Sequence, residues 1–172
     1  MPGLADGYFG GSITYLCEHN AEGAMGLVIN RPSEMTLLEL LAQLNLPTTA
    51  DAALQPVLEG GPVAGERGFI LHSDDLRFEA SLDLSPGLVL STSRDALEAI
   101  AAGVGPTKFV VALGFAGWGP GQLEQELLEN AWLTCPADPA IVFDVPFESR
   151  VVRAAQALGI DFNHLLGQAG HA

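Results

Sequence analysis

Leu113-Gly114-Phe115-Ala116-Gly117-Trp118-Gly119-Pro120-Gly121-Gln122-Leu123-Glu124 is the stretch on which the reading of the chain turns. The run that feeds it, Thr107 to Leu113, is the most apolar strand-like segment and reads as a central strand. After Leu113 the composition predicts a loop holding four glycines and one tryptophan. At that density glycines let backbone approach backbone or a ligand closely, and they allow φ > 0. Pro120 suits the first position of the helix that follows. Leu123 and Leu127 then face inward, with Glu124, Gln125, Glu126 and Glu129 mostly outward.

Outward from that point, the chain alternates strands and helices without repeats or a linker. Ser12 to Cys17 has the period-two alternation of a half-buried strand. Glu18 to Gly23 reads as a turn, and Ala24 to Ile29 returns as the second arm of a hairpin. Thr36 and Glu39 form a capping box, with Leu37, Leu40, Leu41 and Leu44 on one buried helical face. Asn45 to Gln55 reads as a surface loop. Pro56 to Glu59 is extended, Gly60-Gly61-Pro62 turns sharply, and Gly68 to His72 is a strand. Phe78 to Leu84 and Leu88 to Thr92 make a pair joined at Ser85-Pro86-Gly87. Ser93 caps a helix whose inner face is Leu97, Ile100, Ala101 and Val104, with Gly103 as its terminator. Trp132 to Cys135 and Ala140 to Phe143 read as strands. Pro146 opens a helix ended by Gly159, and a helical turn is expected near Phe162 to Gln168. Hairpins join some strands and helices separate others, so a purely parallel sheet does not fit. The predicted fold is α+β: a mixed, strongly bent, partly barrel-like sheet flanked by about four helices.

Composition bounds the function. With 172 residues, 48% of them hydrophobic, the chain is expected to form one globular domain over residues 1–172. No apolar run approaches the roughly 20 residues of a membrane span. The Met1-Pro2-Gly3-Leu4-Ala5-Asp6 start lacks the basic and apolar regions of a signal peptide, which points to the cytoplasm. Cys17 and Cys135 are too few for a disulfide framework. Seven basic residues against 21 acidic ones leave a net charge of −14. The cations are dispersed, so the surface repels a phosphate backbone, and direct nucleic-acid binding is disfavoured.

Several phrases together resemble the YqgE/AlgH family of bacterial proteins. They are Tyr15-Leu16-Cys17-Glu18-His19-Asn20, Gly23 to Pro32, Gly60-Gly61-Pro62-Val63, Gly68-Phe69-Ile70-Leu71-His72, and Gly114-Phe115-Ala116-Gly117-Trp118 with Gly121-Gln122-Leu123-Glu124. Asn130-Ala131-Trp132-Leu133 and Gly170-His171-Ala172 complete the set, in order and nearly end to end. The resemblance implies an α/β mixture around a barrel-like mixed sheet. It brings no family-wide catalytic or ligand residue. It implies a regulatory label, because some members are described as regulators of transcription. The family pattern carries an apolar strand ahead of the Met-Pro segment; a chain without it has one strand edge open to pairing with another chain. The tail, which belongs to the resemblance, is expected to dock His171 into a groove.

Against known chemistries the residues assemble no catalytic machine. The glycine stretch lacks the Lys-Ser/Thr pair of a phosphate loop and the spacing of a dinucleotide fingerprint. No Gly-x-Ser-x-Gly elbow, His-Glu-x-x-His helix or Cys-x-x-Cys pair occurs. Cys17 and His19 project to one side if the strand continues, which keeps a nucleophilic or redox thiol open as an alternative. A metal held by His19, His72 and Glu59 is conceivable, but no spacing demands one, so neither metal nor cofactor is expected. The leading expectation is a non-enzymatic protein that binds a protein partner or small ligand and affects gene expression indirectly. Its surface is the set Glu18, His19, Asn20, Asn30, Arg31, Gly60, Gly61, Pro62, His72, Trp118 and Gln122, converging at one end of the sheet. Oligomeric state is left open.

Overall fold

A computed structural model of the chain describes residues 11–159. At its centre runs β8 (Phe109–Trp118), with β5 (Val63–His72) antiparallel along one edge. Its other edge is shared. The short β4 (Pro56–Glu59) pairs parallel at Ala112 and Leu113, and β2 (Gly23–Val28) pairs antiparallel at Ala116 to Trp118. Beyond them lie β1 (Thr14–Asn20), antiparallel to β2, and β3 (Pro32–Thr36), antiparallel to β4. On the β5 side follow β7 (Leu88–Ser91) and β6 (Ser81–Ser85). The strand path β1-β2-β8-β5-β7-β6 curls into a nearly closed barrel, and the Tyr15 and Ser85 hydroxyls hydrogen-bond at 2.9 Å between its two end strands.

Period-two alternation explains why the central strands are apolar without interruption. Leu58, Phe69, Leu71, Val110 and Ala112 face one core with Leu27, Leu88, Leu90, Ile141 and Val142. Their neighbours Val57, Ile70 and Val111 face the other, against Leu37, Leu40 and Leu41 of α1 (Leu37–Gln43) and Ala96 and Ile100 of α2 (Arg94–Ala101). A sheet covered on both faces needs apolar residues at every position. The α1 capping box is present as expected, with Thr36 and Glu39 each accepting the other's backbone amide. Gly103, at φ 77°, follows the last turn of α2.

Several expectations are corrected. The central strand does not stop at Leu113 but runs to Trp118, because β2 and β5 continue to pair with it. The loop shrinks to Gly119-Pro120-Gly121. Pro120 therefore precedes the helix α3 (Gln122–Leu128), and Gly121, left-handed at φ 75°, stands at its N-cap. Ala140 to Phe143 is helical rather than extended: Pro139 opens α4 (Pro139–Phe143), and the Asp138 side chain accepts the Ala140 amide at 3.0 Å. Trp132 to Cys135 forms no strand. Ser93 occupies the α2 N-cap but its hydroxyl serves Asp95 and the Ala80 amide instead. Val104 is exposed, not on the inner face of α2. The Glu18 to Gly23 turn is only two residues long, since β1 reaches Asn20 and β2 restarts at Gly23. Strand β3 and the 3₁₀ turn Asp51–Leu54 were not anticipated. Pro146 leads into a 3₁₀ turn, Phe147–Ser149, before α5 (Arg150–Ala157), the last of five α-helices among the described residues. The turn expected at Phe162 to Gln168 and the docking of His171 lie outside the described residues.

Candidate functional site

Three separate places along β8 receive the residues that the sequence singles out. His72 pairs with Phe109 at the start of the strand, Gly60 donates its amide to the Leu113 carbonyl near the middle, and Trp118 ends it. The ten residues of β8 span about 30 Å, so the first and last of these positions do not meet in one cleft.

At the middle position the residues join neighbouring strands. The Gly60 carbonyl also accepts the Val28 amide at 2.8 Å, so this peptide stitches β2 to β8. Asn30 closes the open end of the β1–β2 hairpin: its Oδ1 accepts the Ile13 amide and its Nδ2 donates to the Gly11 carbonyl, both at 3.0 Å. The Arg31 carbonyl accepts the Glu59 amide, and Pro62 carries the chain from the Gly60-Gly61 peptide into β5. At the far position His72 is fully buried. A carbonyl can only accept, so Nδ1 donates to the Ser73 carbonyl at 2.7 Å and neutral Nε2 accepts the Ser91 hydroxyl at 2.7 Å. Ser91 in turn bonds Ser81, which accepts the Phe78 amide.

That relay makes a pH prediction. Burial holds the His72 imidazole below its ordinary value of 6.5. The unfolded chain therefore takes up this proton first as pH falls, so the His72 contribution is complete above 6.5 and fades as pH drops through the depressed value. Urea midpoints should fall between about pH 7 and pH 5.5, and His72→Gln should flatten that slope while lowering stability at every pH. An unchanged slope in the variant would remove His72 from the account.

The third position holds a built cavity. A groove of about 440 Å³ runs between β1, α3, the 132–138 segment, α4 and α5. Its walls are mostly apolar, including Ile13, Leu123, Leu127, Leu133, Pro136, Val151 and Leu158. Both tryptophans of the chain line it, edge to face with centroids 5.6 Å apart. Glu126 accepts both indole N–H groups, from Trp118 at 3.2 Å and from Trp132 at 2.8 Å. The sequence pattern sends Glu126 outward; the signal for its role is a second indole six residues on. His19 lies at the groove and pairs with Glu124, tying the hairpin tip to α3 and holding the Glu124 carboxyl below its ordinary range. Asn20 shapes the tip by accepting the Glu22 amide at 2.8 Å and donating to Glu18 at 3.3 Å. Gln122 accepts the Gly119 amide at 2.9 Å. Thus His19 and Trp118 line one groove and Asn30 adjoins it through the Ile13 amide, whereas Arg31, Gly60, Gly61, Pro62 and His72 are not part of its walls.

Thiol chemistry finds no support in this geometry. A bulge at Cys17 breaks the alternation, so Cys17 packs on the core while His19 turns to Glu124. Burial pushes the Cys17 thiol up to about 12. Cys135 lines the groove, yet burial, and then Asp138, raise its thiol as well. Among the described residues no three His, Cys, Asp or Glu side chains gather as a metal cluster. No described helix is long and apolar enough to cross a membrane.

Comparison with known proteins agrees with the architecture. The profile of the AlgH-like family matches residues 1–163. The UPF0301 protein AlgH of Pseudomonas aeruginosa is 53% identical over 174 residues, covering all of this chain and 92% of that relative. A UPF0301 protein of Hahella chejuensis is 51% identical over 172 residues, with the same coverages. The solution structure of the P. aeruginosa AlgH protein superposes with a TM-score of 0.81 over the whole chain and 92% of its own. A Corynebacterium diphtheriae protein, 22% identical, shares the fold at a TM-score of 0.67 over 84% of this chain and 78% of its own. By profile, identity and fold, the chain belongs to the AlgH-like UPF0301 family.

Proposed function

We propose that this chain is a non-enzymatic cytoplasmic binding protein that works through the groove between β1 and α3 to α5. Any influence on transcription then passes through a protein contact there. The observation that carries the reading is an apolar groove, about 440 Å³, bordered by Glu124 and Asp138 rather than by a convergent catalytic set. Its size lies within the roughly 300–1,000 Å³ range of binding sites. The net charge of −14 supports a protein contact over a nucleic acid, since polyphosphate binding needs clustered cations.

A neutral apolar dye tests this. Nile red should bind the purified full chain with one-to-one stoichiometry and quench the emission of Trp118 and Trp132. Leu133, exposed at 47% on the groove wall, is the position to change. Leu133→Glu should weaken the dye by about tenfold or more, with the unfolding midpoint unchanged, because a carboxylate in an apolar wall must stay hydrated. Dye binding that ignores this substitution, or tight capture of duplex DNA at physiological salt, would overturn the reading.

A further inference from the structure

We propose a second binding site, on the sheet face that α1 and α2 cover, for a small apolar α-amino acid such as leucine. A cavity of about 240 Å³ opens there between Leu40 and Leu44 of α1, Leu97 of α2, and the paired strands β5 and β8. No residue lines both this cavity and the groove, so the site goes beyond the reading above.

Gly68 is the reason for the space. Along this face Gly68 stands opposite Leu113, and Ile70 opposite Val111. Ile70 and Val111 are buried against the helices, whereas Gly68 brings no side chain. A glycine inside a strand marks a bulge, a close approach of backbone, or a ligand. The register of β5 does shift just before Gly68, but Ala64 takes the left-handed position there, at φ 47°. Gly68 itself has no left-handed backbone. Close approach explains Gly60, Gly61 and Gly114, where a Cβ would stand within 2.5 Å of main-chain atoms. At Gly68 the nearest atom is the Leu113 Cδ2, 3.9 Å away, and no main-chain atom outside its chain neighbours lies within 4 Å. Room for a ligand is the explanation that remains.

Charge chooses the occupant, because the cavity is bordered by one residue of each sign. Arg94, the first residue of α2, is held in place: Nη2 donates to the Leu44 carbonyl at 2.7 Å and Nε faces Glu98 at 3.4 Å. Its Nη1 has no hydrogen-bond partner among the described residues and is open to a carboxylate. Glu66, exposed on β5, has no ion pair among the described residues. A lone amine would face Arg94, and a lone carboxylate would meet the net charge of −14. A zwitterion answers both, with its ammonium at Glu66, its carboxylate at Arg94, and its aliphatic carbons over Gly68. At about 30 Å³ per water-sized volume the cavity holds about eight or nine non-hydrogen atoms, the size of valine or leucine.

The test follows backbone amide signals of the full chain as L-leucine is added. Those of Gly68, Ile70 and Leu97 should shift together with a Kd of about 1 mM or tighter, while Ile13 and Leu133 in the groove stay still. Alanine gives up three buried carbons and should bind about fiftyfold more weakly. Isopentylamine and 4-methylpentanoate each lack one charged end and should bind about threefold to fivefold more weakly. Gly68→Val fills the cavity and should weaken leucine at least about tenfold, with the unfolding midpoint unchanged or raised. Arg94→Gln should bring leucine down to the affinity of isopentylamine, and Glu66→Gln down to that of 4-methylpentanoate. Both of these side chains are exposed, so they decide the matter even where Gly68→Val fails to fold. Signals that stay unmoved at about 10 mM leucine overturn the site. Alanine binding as tightly as leucine, or leucine undiminished in folded Gly68→Val, overturns the apolar floor. Analogues that match leucine, or affinities unchanged in the Arg94 and Glu66 variants, overturn the recognition of both charges.

Discussion

Gly61→Ala is expected to leave the chain unfolded. A Cβ at Gly61 would stand 2.1 Å from the Phe115 carbonyl carbon and 2.2 Å from its oxygen, inside the backbone of the central strand. Backbone cannot rotate away as a side-chain tip can. The obstructed strand also holds β5 on one edge and β4 and β2 on the other. Moving Phe115 would break registers on both sides. A Cβ at Gly114, at φ 79°, would stand 2.5 Å from the Gly61 carbonyl oxygen, so the two segments touch at glycine from either side. The cost should exceed about 5 kcal/mol, comparable with the whole stability of a domain this size. Gly65 is the control: nothing lies within 4 Å of the place a methyl group would occupy there, and Gly65→Ala should change stability by no more than about 0.5 kcal/mol. Far-ultraviolet circular dichroism of the two purified variants checks both; a folded Gly61→Ala chain would refute the close-approach account.

This outcome bears on what the sequence could reveal. Of two glycine-rich phrases, Gly60-Gly61-Pro62 reads as a sharp turn, and Gly114 to Gly121 reads as tight packing under Trp118 in preference to a ligand cradle. Only register separates the two readings, and register depends on partners far away in the chain. The elements with local causes were legible: the Thr36–Glu39 capping box, the α1 leucine stripe, and the hairpin from β1 to β2. The short apolar stretch Ala140 to Phe143 was not, because periodicity over four residues cannot tell a strand from a helix. There Asp138-Pro139 was the decisive cue, an N-cap followed by proline at the first turn. The groove was half legible. His19 and Trp118 were named, but Leu133, Val151 and Leu158 come from segments brought together only by tertiary packing.

What positions the groove's far wall is Arg150, and its removal should be nearly as damaging as the glycine change. Arg150 is only 3% exposed, and no carboxylate pairs with it among the described residues. Its Nε donates to the Val145 carbonyl at 3.0 Å, Nη1 donates to the Ile29 carbonyl, and its guanidinium stacks 4.4 Å from the Phe147 ring centre. Burial pulls the group down to about 10, so it remains charged near neutrality despite the desolvation cost. Hydrogen bonds from a charged donor contribute about 1.5–3 kcal/mol each, and an orphaned buried carbonyl costs about 1–3. Arg150→Ala should therefore destabilise by about 4 kcal/mol, read as a shift in the urea midpoint. Arg150→Met separates charge from volume. It refills the stem but offers no donor, so Ile29 and Val145 stay unpaired and at least about 2 kcal/mol should still be lost. A buried charge can be replaced by an apolar side chain without loss when its partners are removed with it; here the partners are main-chain carbonyls, which no side-chain substitution removes. Because α5 carries Val151, Ala154 and Ala155 to the groove, folded Arg150→Met should also bind Nile red more weakly. Full stability and unaltered dye affinity in that variant would show that α5 is held by apolar packing, with the guanidinium a passenger.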